Sequence, residues 1–386
     1  MAGMRSRGFS INRSDLAAQV SGLPWGLILM LCGMAVIGVA VLYSATFTNP
    51  EEAGLPLKHA QRFGAAFAVL MVFAIMPLKW WMALAWPAYL ATLILLLGVE
   101  FFGVMGGGAQ RWLQIGPVAV QPSEFMKVTL TMVLAAYYHK YWTDHSGGFF
   151  IHLPALLLIL IPAALIFKQP DFGTTLALIA SGGILIFLAG LWWRVIAAVA
   201  VVSIASVPLV YMFVLEDYQR ERVDTYLAQL TGAQVNLMDD GYQIEQAKIA
   251  IGSGGWTGKG FMEGTQSQLD YIPEQHTDFI LTVLAEEFGF MATTAVLLMW
   301  MVILGLGLVI ARRSSSLFGR FLAAGAVMTV AFYILFNVAM VLGLLPVVGV
   351  PLPFLSYGGT VMITTAACFG LVCSVHLGKD EQLSTG

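Results

Sequence analysis

The chain has 386 residues, 59% of them hydrophobic and only 11% charged, with a formal net charge of −3. A water-soluble domain carries about 25% charged residues, so the composition excludes an ordinary soluble globule, and without a basic block it excludes a nucleic-acid partner. The apolar stretches are continuous and about 20 residues long, which fits membrane-spanning helices and not the short alternating segments of a membrane β-barrel.

Residues 1–22 carry Arg5, Arg7 and Arg13 ahead of the first apolar run. A cleavable signal has an apolar core of about 7–15 residues; this run is longer and reads as a retained span. Ten spans are predicted, at 23–46, 63–77, 80–102, 123–141, 151–167, 173–191, 195–215, 277–311, 317–342 and 357–377. The expected fold is an all-α integral membrane protein of one polytopic domain, 23–378, with an N-terminal tail at 1–22 and a C-terminal tail at 379–386. Cys32, Cys368 and Cys373 lie in apolar runs and read as buried membrane cysteines. No internal repeat is evident, which gives an inverted-repeat transporter no support.

Placing the N-terminus inside puts Arg5, Arg7, Arg13, Lys79, His139, Lys140, Arg194, Arg312, Arg313, Arg320 and Lys379 on the same side. This is a positive-inside pattern, and an even number of spans returns the C-terminus to the cytoplasm. Three polar loops then face outward: 103–122, the long loop 216–276 between spans seven and eight, and 344–359. Glu100, Glu124, Lys127, Lys168, Asp171, Glu286 and Glu287 fall toward that outer half. A proton-coupled transporter would want ionisable groups at the midplane, so the chemistry is expected at the outer surface.

Several polar groupings stand out. Gln121-Pro122-Ser123-Glu124 opens the fourth span, with proline in the first turn and an acid at the positive end of the helix dipole. Glu124 and Lys127 are three residues apart and can pair, either as a helix start with a snorkelling lysine or as an ion pair lining a polar cavity. Arg111-Trp112, in a glycine-rich loop, suits a phosphate or sugar ligand and equally an interfacial anchor. Asp171 is placed to cap the helix that follows Pro170.

In the long loop, Val223, Tyr226, Leu227 and Leu230 recur at helical spacing beside Arg220 and Arg222, as expected for an amphipathic helix on the membrane surface. A second such piece holds Tyr242, Ile244, Ala247 and Ile251 and carries Lys248. The run GSGGWTGKG at 252–260 is not a Walker loop, because Gly260 follows Lys259. Its glycines permit close approach to a ligand, or a simple hinge.

Asp278 follows His276-Thr277 at the start of the eighth span. Thr277 or Asp278 could merely cap that helix. A single helix over 277–311, however, would be about 52 Å long against a hydrocarbon core of about 30 Å. With 288–310 as the span, Asp278 stands about 15 Å above it, at headgroup level. Burial raises a carboxylate's pKa by more than a helix N-terminus lowers it, so a buried Asp278 would make a competent base.

Taken together, GAQRWLQIG at 108–116, QPSEFMK at 121–127, KQPDFGT at 168–174, GYQIEQAKIAIGSGG at 241–255, GKGFMEGTQSQL at 258–269, PEQHTDF at 273–279 and LPFLSYGGT at 352–360 resemble the SEDS family (shape, elongation, division and sporulation). The run LPVVGVPLP at 345–353 is more similar to its rod-shape branch than to its division branch. The stretch RVDTYLAQ at 222–229 departs from the family's pattern by lacking a proline.

The resemblance implies ten membrane helices and a peptidoglycan glycosyltransferase. Such an enzyme polymerises lipid II into glycan strands and releases undecaprenyl pyrophosphate at the extracytoplasmic face of the bacterial inner membrane. It implies as partners a class B penicillin-binding protein and other elongation-complex membrane proteins. Asp278 becomes the expected catalytic base, with Trp112, Glu124 and Lys127 as functional residues. Arg111, Lys127, Arg222, Lys248 and Lys259 are the candidate cations for the leaving pyrophosphate, and Gln266, Glu274 and His276 complete the substrate-binding candidates. No cofactor is implied and no metal-ligand spacing is present, although a divalent cation could share the charge. The alternatives are a division-specific polymerase, a lipid II flippase and a non-catalytic scaffold.

Overall fold

The computed structural model describes residues 13–106, 109–116, 118–141, 149–213, 220, 223–224, 226–228, 240–269 and 271–383. In lipid, backbone N–H and C=O groups find no water, so an apolar chain satisfies them internally by forming helices. Ten helices coincide with the ten expected spans: α2 (Trp25–Ala45), α3 (Leu55–Ile75), α4 (Leu78–Phe102), α5 (Pro122–Tyr141), α6 (His152–Lys168), α7 (Phe172–Leu188), α8 (Trp193–Phe213), α11 (Ile280–Arg313), α12 (Leu317–Val341) and α13 (Gly359–Leu377). Among the described residues, α2, α4, α11, α12 and α13 are each long and apolar enough to cross a membrane unaided. Large side chains such as Leu29, Val36, Ile94 and Met301 point outward, about two-thirds exposed, which is the belt a bilayer covers. Three shorter α-helices are described as well: α1 (Arg13–Ser21), α9 (Asp240–Gly254) and α10 (Thr265–Gln268).

The core is built around α5, which is buried on nearly every side and packs against α4, α7, α12 and α13. Its sequence, PSEFMKVTLTMVLAAYYHKY, is less apolar than those of its neighbours. An interior helix with polar side chains needs polar partners, and these are what the site is made of.

Four features correct the sequence-based expectations. The helix α3 starts at Leu55, not 63, with Pro56 in its first turn; Lys58, His59 and Arg62 therefore ride on a helix. Part of the N-terminal tail is helical as α1. The loop 103–122 holds an antiparallel sheet, β1 (Val104–Gly106), β2 (Ala109–Ile115) and β3 (Val118–Val120), in that order, with Met105 opposite Gln110 and Leu113 opposite Val120. The membrane fold is thus all-α with one small sheet added.

The fourth correction is to the eighth span. The helix α11 is not one straight rod: Gly289, at φ 73° and ψ −174°, breaks it into 280–288 and 290–313. That conformation belongs essentially to glycine. The break frees backbone groups, and the glycine-rich run after α9 supplies their partners. Lys259 and Gly260 donate their N–H groups to the carbonyls of Glu286 and Glu287, at 3.1 and 3.0 Å, while Phe290 and Met291 donate to Gly255 and Trp256, at 2.9 and 3.2 Å. A Cβ on Gly258 would overlap the Glu287 carbonyl, and one on Gly289 the Gly258 amide. The close approach that these glycines permit is therefore to the chain's own broken helix, a role as a splint.

Candidate active site

Asp278 lies in a turn just before α11, whose N-cap is Phe279, not Thr277 or Asp278. The turn is closed by Thr277 and Phe279, both donating N–H to the Glu274 carbonyl at 3.2 Å, and by Thr277 Oγ1 donating to Glu274 Oε2 at 2.7 Å. The half-buried carboxylate of Asp278 faces Gly349 of the 342–358 segment across a gap that a methyl group would fill: a Cβ added at Gly349 would stand 3.6 Å from its Oδ2. Its backbone carbonyl accepts from Asn337 Nδ2 of α12 at 2.7 Å, and the same nitrogen donates to the Val350 carbonyl at 2.8 Å. The estimate of a 15 Å rise along a straight helix does not survive the break at Gly289. What holds Asp278 is the end of α12 and the segment that follows it.

Around this turn the structure gathers further polar groups. The His276 carbonyl accepts from Tyr357 N–H at 2.9 Å, and the two rings lie 6.4 Å apart. The Arg62 guanidinium stands 4.1 Å above the Tyr357 ring, within the range of a cation–π contact. His59, one turn earlier on α3, is fully buried and its Nε2 lies 3.0 Å from the Phe354 carbonyl. Sequence reasoning missed Arg62 and His59 because it began the second span at 63. The signal available was Pro56, a helix-start residue ahead of both.

Lys248 reaches the same segment from α9. The inner face of α9 packs Ile244, Ala247 and Ala250 against Ile272, Phe279, Met340, Val341 and Val347. This leaves Lys248 exposed, with its ammonium 2.6 Å from where a Cβ on Gly343 would lie. Lys248 and Asp278 thus flank the two ends of 343–349.

Deeper in, Glu124 and Lys127 form the ion pair that their spacing predicts. Lys127 Nζ stands 2.7 Å from Glu124 Oε1 and 2.8 Å from the hydroxyl of Tyr333, which itself donates to Glu124 Oε2. All three side chains are excluded from solvent. Neither helix end nor snorkelling accounts for this arrangement; it is an interior triad between α5 and α12. Tyr333 and Asn337 are successive turns on one face of α12.

The Asp171 side chain caps α7 by accepting from Thr174 N–H at 3.2 Å, as its position predicts, and also accepts from Gln121 Nε2 at 2.9 Å. Gly173 packs directly on the Val348 carbonyl. Arg111, on β2, donates through Nε to the Gln169 carbonyl at 3.3 Å and through its terminal nitrogen to Pro170, while Trp112 beside it is half-buried and pairs with Val104. Arg111 thus reaches the Gln169–Pro170 turn that precedes Asp171, Gly173 packs on Val348, and Asn337 ties Val350 to the Asp278 turn one helical turn from Tyr333 of the triad.

Other candidates fall elsewhere. Lys259 is paired within the protein: its Nζ lies 2.6 Å from Glu286 Oε1 and 2.7 Å from Thr265 Oγ1. Gln266 belongs to the same cluster through its backbone, since Glu286 accepts from the N–H groups of Gln266 and Ser267 at the start of α10, at 2.9 and 3.1 Å. Glu286 thus acts as a buried carboxylate that caps a helix and neutralises a lysine. Glu274 is exposed and holds its own turn. Arg222 lies outside the described residues, although Tyr226 nearby donates to the Leu344 carbonyl at 2.8 Å. Among the described residues no three His, Cys, Asp or Glu side chains are grouped to hold a metal ion.

The fold and this grouping define a polytopic membrane protein whose polar chemistry is gathered at one end of its helices. Residues 24–381 match the family described as cell cycle protein, FtsW, RodA and SpoVE, and the chain belongs to that family. It is 38% identical to peptidoglycan glycosyltransferase MrdB of Escherichia coli (strain K12) over 353 residues, 91% of this chain and 92% of that protein. It superposes on a chain from a structure described as structural coordination of polymerization and crosslinking by a peptidoglycan synthase complex, with a TM-score of 0.78 and 27% identity, covering 93% of this chain and 99% of the other. It also superposes on the rod shape determining protein RodA of Thermus thermophilus, with a TM-score of 0.67 and 26% identity over 93% of this chain and 98% of the other.

Proposed function

We propose that the chain is a peptidoglycan glycosyltransferase that polymerises lipid II for cell elongation, with Asp278 as its general base. The 4-hydroxyl of the acceptor's N-acetylglucosamine attacks C1 of the donor's N-acetylmuramic acid. The C1–oxygen bond to pyrophosphate breaks, undecaprenyl pyrophosphate leaves, and the hydroxyl proton passes to the Asp278 carboxylate. A single displacement inverts the anomeric carbon and needs one base. The observation that carries this reading is the Asp278 turn clamped through its backbone by Asn337, with its carboxylate facing Gly349, in a chain so similar to MrdB over nearly all its length.

The growing negative charge on the pyrophosphate calls for fixed cations. Arg62, Lys248 and Arg111 are the described candidates; Lys127 is committed to Glu124 and Tyr333 and serves as the frame beneath them. The positive-inside pattern puts both termini in the cytoplasm and the Asp278 turn at the extracytoplasmic face. A class B penicillin-binding protein is the partner that would cross-link the strands, in keeping with the peptidoglycan synthase complex on which the chain superposes.

Purified protein with its transpeptidase partner and labelled lipid II tests the assignment. Glycan strands are expected from the wild type, and a loss of about 10²–10⁴-fold from Asp278→Asn, the usual contribution of a general base. Polymer retained by that variant would sink the base assignment. Lipid II carried across vesicles without polymer would favour a flippase.

A further inference from the structure

The Asn337 side chain bonds both sides of the Asp278 site, and we infer that it is a positioning residue for the reaction. Its Nδ2 donates to the carbonyls of Asp278 and Val350, at 2.7 and 2.8 Å. Both partners are acceptors, so only the NH₂ end of the amide can face them, and its orientation is fixed without ambiguity. The two carbonyls belong to segments far apart in sequence, and Val350 adjoins Gly349, the residue that the Asp278 carboxylate faces. One side chain therefore sets the turn that carries the carboxylate relative to the segment opposite it.

Packing alone does not call for asparagine here. Asn337 is fully buried, and its Oδ1 finds no donor among the described residues. A buried amide with an unpaired oxygen is unfavourable, and what offsets it is the pair of hydrogen bonds that Nδ2 donates to the Asp278 and Val350 carbonyls, which an apolar side chain of similar size would leave without that donor. The clamp also stands on firm ground. One turn back on the same face of α12, Tyr333 is locked to Glu124 and Lys127, so Asn337 projects from a helix that cannot easily shift. A reacting group displaced by about 1 Å can lose about 10²-fold in rate, and a group held by a rigid helix is placed more accurately than one held by a loop.

This inference rests on Asp278 as the base. The test uses the full chain with its transpeptidase partner, steady-state polymerisation of labelled lipid II, and thermal unfolding in detergent. For Asn337→Leu the expected result is a fall in kcat of about 10²-fold, measured well below the variant's Tm and with KM nearly unchanged; the two carbonyls left without a donor are expected to lower Tm modestly. Asn337→Asp has the same shape but presents acceptors to both carbonyls, and it is expected to lose kcat at least as much; it serves if the leucine variant fails to fold. Wild-type kcat in either variant, a rise in KM with kcat kept, or a loss of rate that only tracks a lower Tm would overturn the assignment. Asp278→Asn run in parallel separates the two readings. If it keeps activity, the base assignment falls and takes this one with it; if it is inactive while Asn337→Leu polymerises normally, only the positioning role falls.

Discussion

Lys127 and Glu124 are two ions removed from water, and their value depends on staying together. Replacing Lys127 by alanine would leave the Glu124 carboxylate buried with Tyr333 alone, which is expected to cost about 3–5 kcal/mol and to appear as a marked fall in Tm. The pair Glu100–Lys168 looks similar on paper, but its side chains are 36% and 68% exposed. There Lys168→Ala is expected to cost about 0–1 kcal/mol in the same thermal measurement. Burial, not contact, decides between the two. The interior pair was legible in the sequence from its three-residue spacing and from Pro122 ahead of it. Its third member was not, because Tyr333 comes from a helix some 200 residues later and carries no local mark. Lys259 is the reverse case: it is a lone lysine among glycines, and nothing nearby pointed to Glu286 as its partner.

The break in α11 and the glycine run behind it form one unit, and this gives two glycine substitutions of opposite consequence. Gly289→Ala forces a Cβ into a backbone region that is essentially glycine-only and against the Gly258 amide, so it is expected to cost at least about 1–3 kcal/mol and to lower Tm. At Gly255, φ is 55° and a Cβ would meet open space. Gly255→Asn is accordingly expected to keep Tm within a degree or two of wild type, since asparagine tolerates the left-handed region. The long eighth helix was readable from hydropathy, but its interruption was not, because a single glycine within EEFGFMATT is compatible with a continuous helix. The acids Glu286 and Glu287 were the missed signal. Two carboxylates in an apolar run need partners, and both found them in other elements, Lys259 and α10 for Glu286 and Ser44 for Glu287. The sheet at 104–120 escaped because β1 and β3 are three residues each and β2, AQRWLQI, does not strictly alternate apolar with polar residues.

Hydropathy alone located all ten membrane helices, because the bilayer imposes a length and an apolarity that few other environments do. The proposed sidedness rests on the loop cations, and it predicts that a cysteine placed at the exposed Glu274 reacts with an impermeant maleimide added outside intact cells. A cysteine replacing Arg313 is expected to react only after the membrane is opened; the reverse pattern would invert the topology and the proposed site with it. What hydropathy could not supply is how the ends of the helices are tied together, since those ties run between residues such as Asn337 and Asp278 that are distant in sequence. They bear on how the protein meets membranes of different thickness. The segment 290–313 alone is about 36 Å long, longer than a hydrocarbon core of about 30 Å, so it accommodates by tilting. The Asp278 turn does not hang from that rod: it is tied to α12 through Asn337 and to Tyr357 through His276, on the far side of the break. Those ties hold the turn whatever the tilt of the rod, and polymerisation in vesicles is expected to vary little as acyl chains lengthen from 16 to about 20 carbons.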